Sequence, residues 1–284
     1  MSANWHRGLL ADPQAALVQQ WLSSPLLVED LSWGLTDTRV LRLRSLGREC
    51  ILKTAGSANL HLGREFKAHA GYTAPLLAHG LTAALRHEDR ALRLLLLDYL
   101  PGVLCERTSS ADDPEVHEQA GRALQLLHGQ YAKVDEGYEK NFIANGLKWL
   151  DAEHRIEPSF VAAARKIFAD YRPEPVLVVP THGDWQPRNW LIDQGKLRVI
   201  DFGRFAFRPA ESDLARLSAQ QWREHPELAT AFFRGYGQDP RELRSWPIVQ
   251  LREAIGTAAW AYQVGDTAFE IQGHRMLRDA LELF

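Results

Sequence analysis

The densest chemistry in the chain lies in Thr181-His182-Gly183-Asp184-Trp185-Gln186-Pro187-Arg188-Asn189-Trp190-Leu191-Ile192-Asp193, followed shortly by Val199-Ile200-Asp201-Phe202-Gly203. A carboxylate, a carboxamide five positions on and a second carboxylate after the next strand suit phosphoryl transfer. That reaction needs a carboxylate beside the attacking hydroxyl and oxygen ligands for the Mg²⁺ that bridges the phosphates. Asp184 suits the first role; Asn189 and Asp201 suit the second. A loop running into a short hairpin can bring the three side chains to one edge. The plain alternative is a polar loop with an Asx turn beside an ordinary hairpin, and the two motifs together at this spacing argue against it.

On these residues the sequence resembles the aminoglycoside phosphotransferase family, within the wider protein-kinase-like superfamily. That family carries His-Gly-Asp-x-x-x-x-Asn where protein kinases usually have His-Arg-Asp. The resemblance runs from Leu31 to the last helix and implies roles for further residues. Lys53, in Cys50-Ile51-Leu52-Lys53-Thr54, matches the strand lysine that neutralises α- and β-phosphate oxygens. Glu65, in Gly63-Arg64-Glu65-Phe66, matches the helix glutamate that pairs with it. Trp33-Gly34-Leu35-Thr36-Asp37-Thr38 matches a looser, one-glycine form of the nucleotide-covering loop, through Gly34 and Thr36; a plain hairpin turn is its alternative. In Leu96-Leu97-Asp98-Tyr99-Leu100-Pro101-Gly102 the backbone C=O of Asp98 and N–H of Leu100 are expected to hold the adenine edge. Glu211-Ser212-Asp213-Leu214-Ala215 matches an Asp-Leu-Ala element, whose Asp213 is expected to cap a helix and brace the catalytic loop. His182 reads as a packing and hydrogen-bonding residue rather than a base.

The acceptor is expected to be small. Only nine residues, Arg204 to Ser212, separate Gly203 from Asp213, too few for the activation segment on which a protein kinase docks a peptide. From Glu106 to Glu157 there are 11 Asp/Glu against 6 Lys/Arg, so carboxylates facing the acceptor would attract a cation, while solvated helix faces are the alternative. Phe284 could lend its terminal carboxylate to an acceptor's ammonium groups, as the resemblance implies, supplemented by Asp266 and Glu270; an apolar terminal residue docked for packing is the alternative. Trp185 is a candidate wall of the acceptor pocket, with core packing as its rival reading.

The elements that must position these residues read as β-rich first, helical afterwards. Asp12-Pro13 opens a helix through Trp21, with Asp12 as N-cap. Strands are expected over Leu26 to Trp33, Thr38 to Leu46, Cys50 to Thr54, Leu81 to His87 and Leu92 to Asp98, with Glu88-Asp89-Arg90 as a turn and a helix from Asn59 to Ala70 between the third and fourth. After Pro101-Gly102 the pattern predicts helices at Val116 to Gln130, Ile143 to His154, Ser159 to Tyr171, Asp213 to Arg223, Leu228 to Tyr236 and Arg241 to Val264. A β-rich island, Val176 to Phe202, interrupts them. The expectation is an α+β, protein-kinase-like two-lobed fold: a nucleotide-binding lobe over residues 1–100 and a helical lobe over 101–284 carrying the catalytic loop and acceptor site.

Bulk properties agree. A chain of 284 residues with 45% hydrophobic and 24% charged residues can bury a core, and a net charge of -3 gives no basic excess for nucleic acid. Cys50 and Cys105 read as two reduced thiols, without a disulfide framework or metal-site spacing. The first ten residues lack a signal peptide's apolar run and no stretch approaches a membrane span, so a cytoplasmic location and no membrane partner are expected. The expected reaction moves the γ-phosphoryl group of ATP, or of GTP, with Mg²⁺, to a hydroxyl of an aminoglycoside or other cationic antibiotic. The alternatives are a tuberactinomycin peptide, a macrolide or a metabolite such as an amino sugar or choline, then a pseudokinase or a protein kinase.

Overall fold

In chain order the elements are α1 (Asp12–Trp21), β1 (Leu26–Asp30), β2 (Arg39–Ser45), β3 (Arg48–Thr54), α2 (Leu60–Lys67), α3 (Ala74–Ala78), β4 (Leu85–Asp89), β5 (Leu94–Asp98) and β6 (Val103–Leu104). Then come α4 (Pro114–His128), β7 (Lys133–Asp135), α5 (Tyr138–Asp151), α6 (Pro158–Asp170), β8 (Val176–Thr181), β9 (Trp190–Asp193), β10 (Lys196–Val199) and β11 (Ala206–Arg208). Five helices finish the chain: α7 (Ala215–Ala219), α8 (Gln221–Glu224), α9 (Pro226–Tyr236), α10 (Trp246–Val264) and α11 (Thr267–Leu281). This computed structural model describes residues 5–34 and 36–284. The first four positions of the N-terminal reading, and Leu35 of the nucleotide-loop reading, lie outside the described residues. The chain divides into two compact units, Met1–Ser110 with Pro187–Ala206, and Ala111–Gln186 with Phe207–Phe284.

The first unit is built on an antiparallel sheet of order β1-β2-β3-β5-β4. Side chains alternate between the faces of a strand, and both faces are covered. Leu41, Leu43, Cys50, Leu52, Leu94 and Leu96 pack with Trp5, Leu10, Ala15 and Val18 of the N-terminal segment and α1. Ile51, Leu95 and Leu97 pack on the other face with Ala83 and with Leu62 and Phe66 of α2. Lys53 has the parity of Ile51 and stands opposite Leu95, so the register alone sends it to the α2 face. Leu62, Glu65 and Phe66 share one side of α2 because residues three and four apart stack. Burying Leu62 and Phe66, 2% and 4% exposed, contributes about 1.5–3 kcal/mol each and turns Glu65 toward the sheet.

The hairpin β9–β10 belongs to this same unit. It turns on Gln194 and Gly195, both with positive φ (50° and 78°), as a two-residue turn demands. β6 pairs with β9, Val199 N–H donates to Leu81 O at 2.7 Å, and Thr82 Oγ1 donates to Val199 O at 2.9 Å.

In the second unit α10 lies along α11, and both pack with α5 and α6 around Ile143, Leu150, Phe168, Leu251, Ile255 and Leu277. α4 and α9 meet at their backbones: a Cβ on Gly121 would lie 2.1 Å from Phe232 O, and one on Gly235 would lie 2.0 Å from Glu118 O. A small sheet of order β11-β8-β7 leads into the loop that carries Asp184.

Several predicted boundaries shift. α1 is capped at Ala11, not Asp12, and Gln14 Oε1 accepts from Ala11 N–H at 3.1 Å. Glu88 and Asp89 belong to β4 rather than to a turn; the turn is Arg90–Arg93, where Asp89 Oδ1 accepts from Leu92 N–H at 2.6 Å. α10 starts at Trp246 rather than Arg241, because Pro247 fits only a helix's first turn. The predicted helix Asp213 to Arg223 is broken at Gln220 (φ -118°, ψ -96°). β7, α3 and α11 were not predicted from the sequence as separate elements. Both cysteines are buried and neither forms a disulfide. Among the described residues no helix is long and apolar enough to cross a membrane.

Candidate functional site

In the first unit three charged side chains converge. Lys53 Nζ donates to Glu65 Oε1 and Oε2 at 2.7 and 3.0 Å and to Asp201 Oδ1 at 3.2 Å. Phe202 N–H also donates to the Glu65 carboxylate. The Lys53 and Glu65 side chains are 10% and 4% exposed, whereas that of Asp201 is 52% exposed. Burial pushes Lys53 down, but the Asp201 and Glu65 carboxylates outweigh it and leave the pKa raised, so the ammonium stays charged. Burial pushes the Glu65 carboxyl up, against the pull of Lys53. One carboxylate is thus held inside as an anchor, and the other reaches solvent.

Asp201 sits in the left-handed region at φ 65°, which is strained for a residue with a Cβ. Its neighbours hold it there. Phe202, 1% exposed, meets His69 edge-on at 5.7 Å, and His61 Nδ1 lies 3.0 Å from Gly203 O. Asn189 ends a 3₁₀ turn, Pro187–Asn189, and its C=O accepts from Ile200 N–H at 3.0 Å. The hairpin register, Trp190 opposite Val199, therefore places Asn189 and Asp201 at the same open end. Both offer hard oxygen donors of the kind Mg²⁺ prefers, and Mg²⁺ takes only one or two protein ligands where phosphates supply others. The fit holds although no group of three or more His, Cys, Asp or Glu could hold a metal among the described residues.

The segment read as a nucleotide loop is pinned on both sides. Asp30 Oδ1 accepts from Ser32 N–H at 3.0 Å, and Asp37 Oδ2 accepts from Gly56 N–H at 3.0 Å. Thr36 N–H donates to Trp33 O at 3.3 Å, and nothing lies within 4 Å of where a Cβ on Gly34 would stand. Asp98 ends β5 with its carboxylate on Arg86 at 2.6 Å and its N–H on Ala84 O at 2.9 Å. Leu100 packs against the cluster that contains Leu62 and Phe66.

In the second unit the catalytic-loop candidate is held by Asp213. Its Oδ2 accepts from His182 N–H at 2.8 Å and its Oδ1 from Gly183 N–H at 2.6 Å, while His128 Nε2 lies 3.1 Å away. Burial raises the Asp213 carboxyl, but His128, His182 and Arg208 more than reverse this, and its pKa ends lowered. The brace is as expected; the helix cap is not. Asp213 lies in a 3₁₀ turn and α7 begins without a side-chain cap, because the carboxylate is committed to the loop amides. Asp184 is 5% exposed and its Oδ1 accepts from Arg216 Nη1 at 2.7 Å and from Gln186 Nε2. Arg216 escaped the sequence reading, which stopped one residue short of it at Ala215. An arginine in a short helix reads as a surface charge, and the only hint was its place directly after Asp-Leu-Ala.

The acceptor candidates are not gathered together. Trp185 is 1% exposed and meets His182 edge-on at 5.4 Å, inside the protein. Asp266 caps α11, accepting from Phe269 N–H at 3.0 Å. Glu270 is buried against Arg155 at 2.7 Å. Phe284 is 57% exposed beyond the other end of α11, about 20 Å from Asp266 by helix rise. Leu283, Glu282, Asp279 and Arg223 line a cavity of about 330 Å³ together with Ser218 of α7. Part of the acidic segment is paired with arginines: Glu118 with Arg122 and Arg234, Glu139 with Arg244, and Asp151 with Arg165.

The profile of the phosphotransferase enzyme family (APH) matches residues 28–246. No curated protein sequence matches the chain. Among solved structures, choline kinase LicA from Streptococcus pneumoniae aligns with a TM-score of 0.69 at 17% identity, covering 96% of this chain and 100% of that one. Macrolide 2'-phosphotransferase MphH from Brachybacterium faecium gives 0.63 at 18%, covering 94% and 98%. A thermostable mutant of aminoglycoside phosphotransferase APH(4)-Ia, in ternary complex with AMP-PNP and hygromycin B, gives 0.70 at 15%, covering 96% and 99%. These likenesses are of fold: an antiparallel sheet followed by a mostly helical part, as in the kinase-like structures. With the family profile spanning most of the chain, and with the lysine, glutamate and aspartate of the first unit in contact, the chain belongs to the phosphotransferase enzyme family.

Proposed function

We propose that the protein transfers the γ-phosphoryl group of ATP to a hydroxyl of a small molecule, with Asp184 orienting that hydroxyl and accepting its proton. The observation that carries the reading is Lys53, fixed by the buried Glu65 and 3.2 Å from a solvent-reaching Asp201. A rigid cation beside an accessible carboxylate suits a metal–phosphate group. Lys53 steadies the α- and β-phosphates, and Glu65 keeps it from following them. Asn189 and Asp201 would hold Mg²⁺, which when bound neutralises charge on the phosphates. The Asp98 C=O and Leu100 N–H hold the adenine edge, and Gly34 and Thr36 lie over the phosphates. Residues 1–100 serve the nucleotide and residues 101–284 the acceptor, with the β9–β10 hairpin carrying the metal ligands. Little covalent work falls to the protein; positioning supplies most of the rate.

We infer a cationic antibiotic, an aminoglycoside first, as the acceptor to try. The cavity beside α7 is a place to look for it: Glu282 and Asp279 line it, Asp279 paired there with Arg223 at 2.8 Å. The arginine-paired carboxylates of the acidic segment weaken that charge argument, so macrolides and choline belong in the same trial. The experiment is acceptor-stimulated ADP release with Mg²⁺ and ATP. One class should stimulate it, and Asp184→Ala should lower kcat by roughly 10³-fold or more while ATP still binds. Full turnover in Asp184→Ala would defeat the assignment.

A further inference from the structure

Asp184 is held twice, by two separate devices. Its main chain is fixed through the loop: Asp184 N–H donates to His182 Nδ1 at 3.3 Å, and the two preceding amides are bound by Asp213. Its side chain is fixed through Arg216, which reaches it from α7. Arg216 Nη1 donates to Asp184 Oδ1 at 2.7 Å while Nε donates to Glu253 Oε1 at 2.8 Å. Gln186 donates a second hydrogen bond to the same Oδ1, and Gln220 Nε2 lies 3.4 Å from Gln186 Oε1.

This is not an exposed ion pair of small consequence. Asp184, Gln186 and Arg216 are 5%, 5% and 7% exposed. A guanidinium so placed is costly unless its charge is balanced, and here it is balanced by a carboxylate at each end of the fork. Glu253 stands on α10, between Arg252 and the fully buried Ala254 and Ile255, so its backbone is locked into the core of the unit. The chain of contact therefore runs from a rigid helix, through a planar fork, to one oxygen of the carboxylate. With Oδ1 committed to two donors, rotation of the carboxylate about its Cβ–Cγ bond is stopped.

We propose that Arg216, anchored by Glu253, is a positioning residue for Asp184, setting the orientation in which that carboxylate meets the acceptor hydroxyl. The proposal rests on the reading of Asp184 as the proton-accepting carboxylate. A lysine keeps the charge but cannot give one hydrogen bond to Glu253 and another to Asp184 along two arms of a planar group. A misplacement of about 1 Å near the reacting atoms costs on the order of 10²-fold in rate.

The test compares Asp184→Asn, Arg216→Lys, Glu253→Ala and the double variant Arg216→Lys/Glu253→Ala in the full-length chain. ADP release is followed with hygromycin B, a macrolide and choline, and with water as acceptor in their absence; ATP affinity and thermal midpoints are recorded alongside. Arg216→Lys should lower kcat about 10–100-fold and Glu253→Ala about 10-fold, with KM for ATP within about twofold. The double variant should be no slower than Arg216→Lys alone, because the two residues act as one unit. Glu253→Ala carries the comparison if Arg216→Lys does not fold. Wild-type kcat in both single variants, with Asp184→Asn inactive, would overturn the positioning role alone. So would losses that multiply in the double variant, or a KM for ATP that rises in step with the fall in kcat. Full turnover in Asp184→Asn would instead remove the reading of Asp184 on which the proposal stands.

Discussion

Lys53 shows how burial and pairing decide a residue's use. Alone in that position an ammonium would lose its proton or its place; between Glu65 and Asp201 it keeps both. Lys53→Met should weaken ATP binding and lower kcat by about 10²-fold or more, and should also destabilise the chain, because a buried Glu65 left without its partner costs about 3–5 kcal/mol. A titration of ATP with thermal melts of the same samples checks both. His69 supplies a pH signature. Burial, with Lys53 nearby, pushes its pKa down to about 4 from the usual 6.5. Between those values the unfolded chain binds the proton and the folded chain does not, so stability falls as pH drops from 6.5 toward 4. His69→Phe should flatten the decline of the urea midpoint across that range; an unchanged slope would assign it to other groups. At this scale Lys53 and Glu65 were legible because the order strand lysine, helix glutamate, catalytic loop matches the family's pattern, while each residue alone reads as a solvated charge. Arg216 was not, because its partners Asp184 and Glu253 are 32 and 37 residues away in sequence.

At the scale of elements, the β9–β10 hairpin does the most for the site. Its two-residue turn and its pairing with β6 fix the register that puts Asn189 and Asp201 at one end. The strands of the first unit could be read from apolar runs broken by turn residues such as Gly34, Gly47 and Pro101-Gly102; with both faces of the sheet buried, β5 is a continuous run of leucines. Helix starts were read less well where a proline decides them, as at Pro247, and α7–α8 was misread because nothing local announces the break at Gln220. Asp213 escaped its predicted cap for a tertiary reason: the amides of a loop some thirty residues earlier compete for its carboxylate. The contact of α4 with α9 was invisible in the sequence, where Gly121 and Gly235 look like weak points of two helices. In the structure they are where the backbones touch. Gly121→Ala should therefore destabilise the second unit by about 1–3 kcal/mol or more instead of gaining helix propensity. Denaturant unfolding distinguishes the two signs.

For the whole molecule, the family and its fold were legible because the catalytic-loop and Asp-Phe-Gly motifs are local in sequence and their order along the chain is informative. The acceptor was not. Charge counted along residues 106–157 ignores which arginines face each carboxylate, and Arg244, Arg165 and Arg234 answer several of them. Asp266 and Glu270 are close to Phe284 in sequence, but Asp266 caps the start of α11 and Glu270 stands in its first turn, whereas Phe284 lies past the helix's far end. Acceptor choice depends on which side chains converge in space, and that convergence has no period to read. The central claim, that this chain moves a phosphoryl group onto a small molecule, is tested most directly by mass spectrometry of candidate acceptors after incubation with Mg²⁺ and ATP. Aminoglycosides, macrolides and choline should be offered together, with Asp184→Ala in parallel. The account predicts one phosphate ester on one class of acceptor, absent with Asp184→Ala. ADP and inorganic phosphate as the sole products, or a phosphate ester that forms equally well with Asp184→Ala, would contradict it.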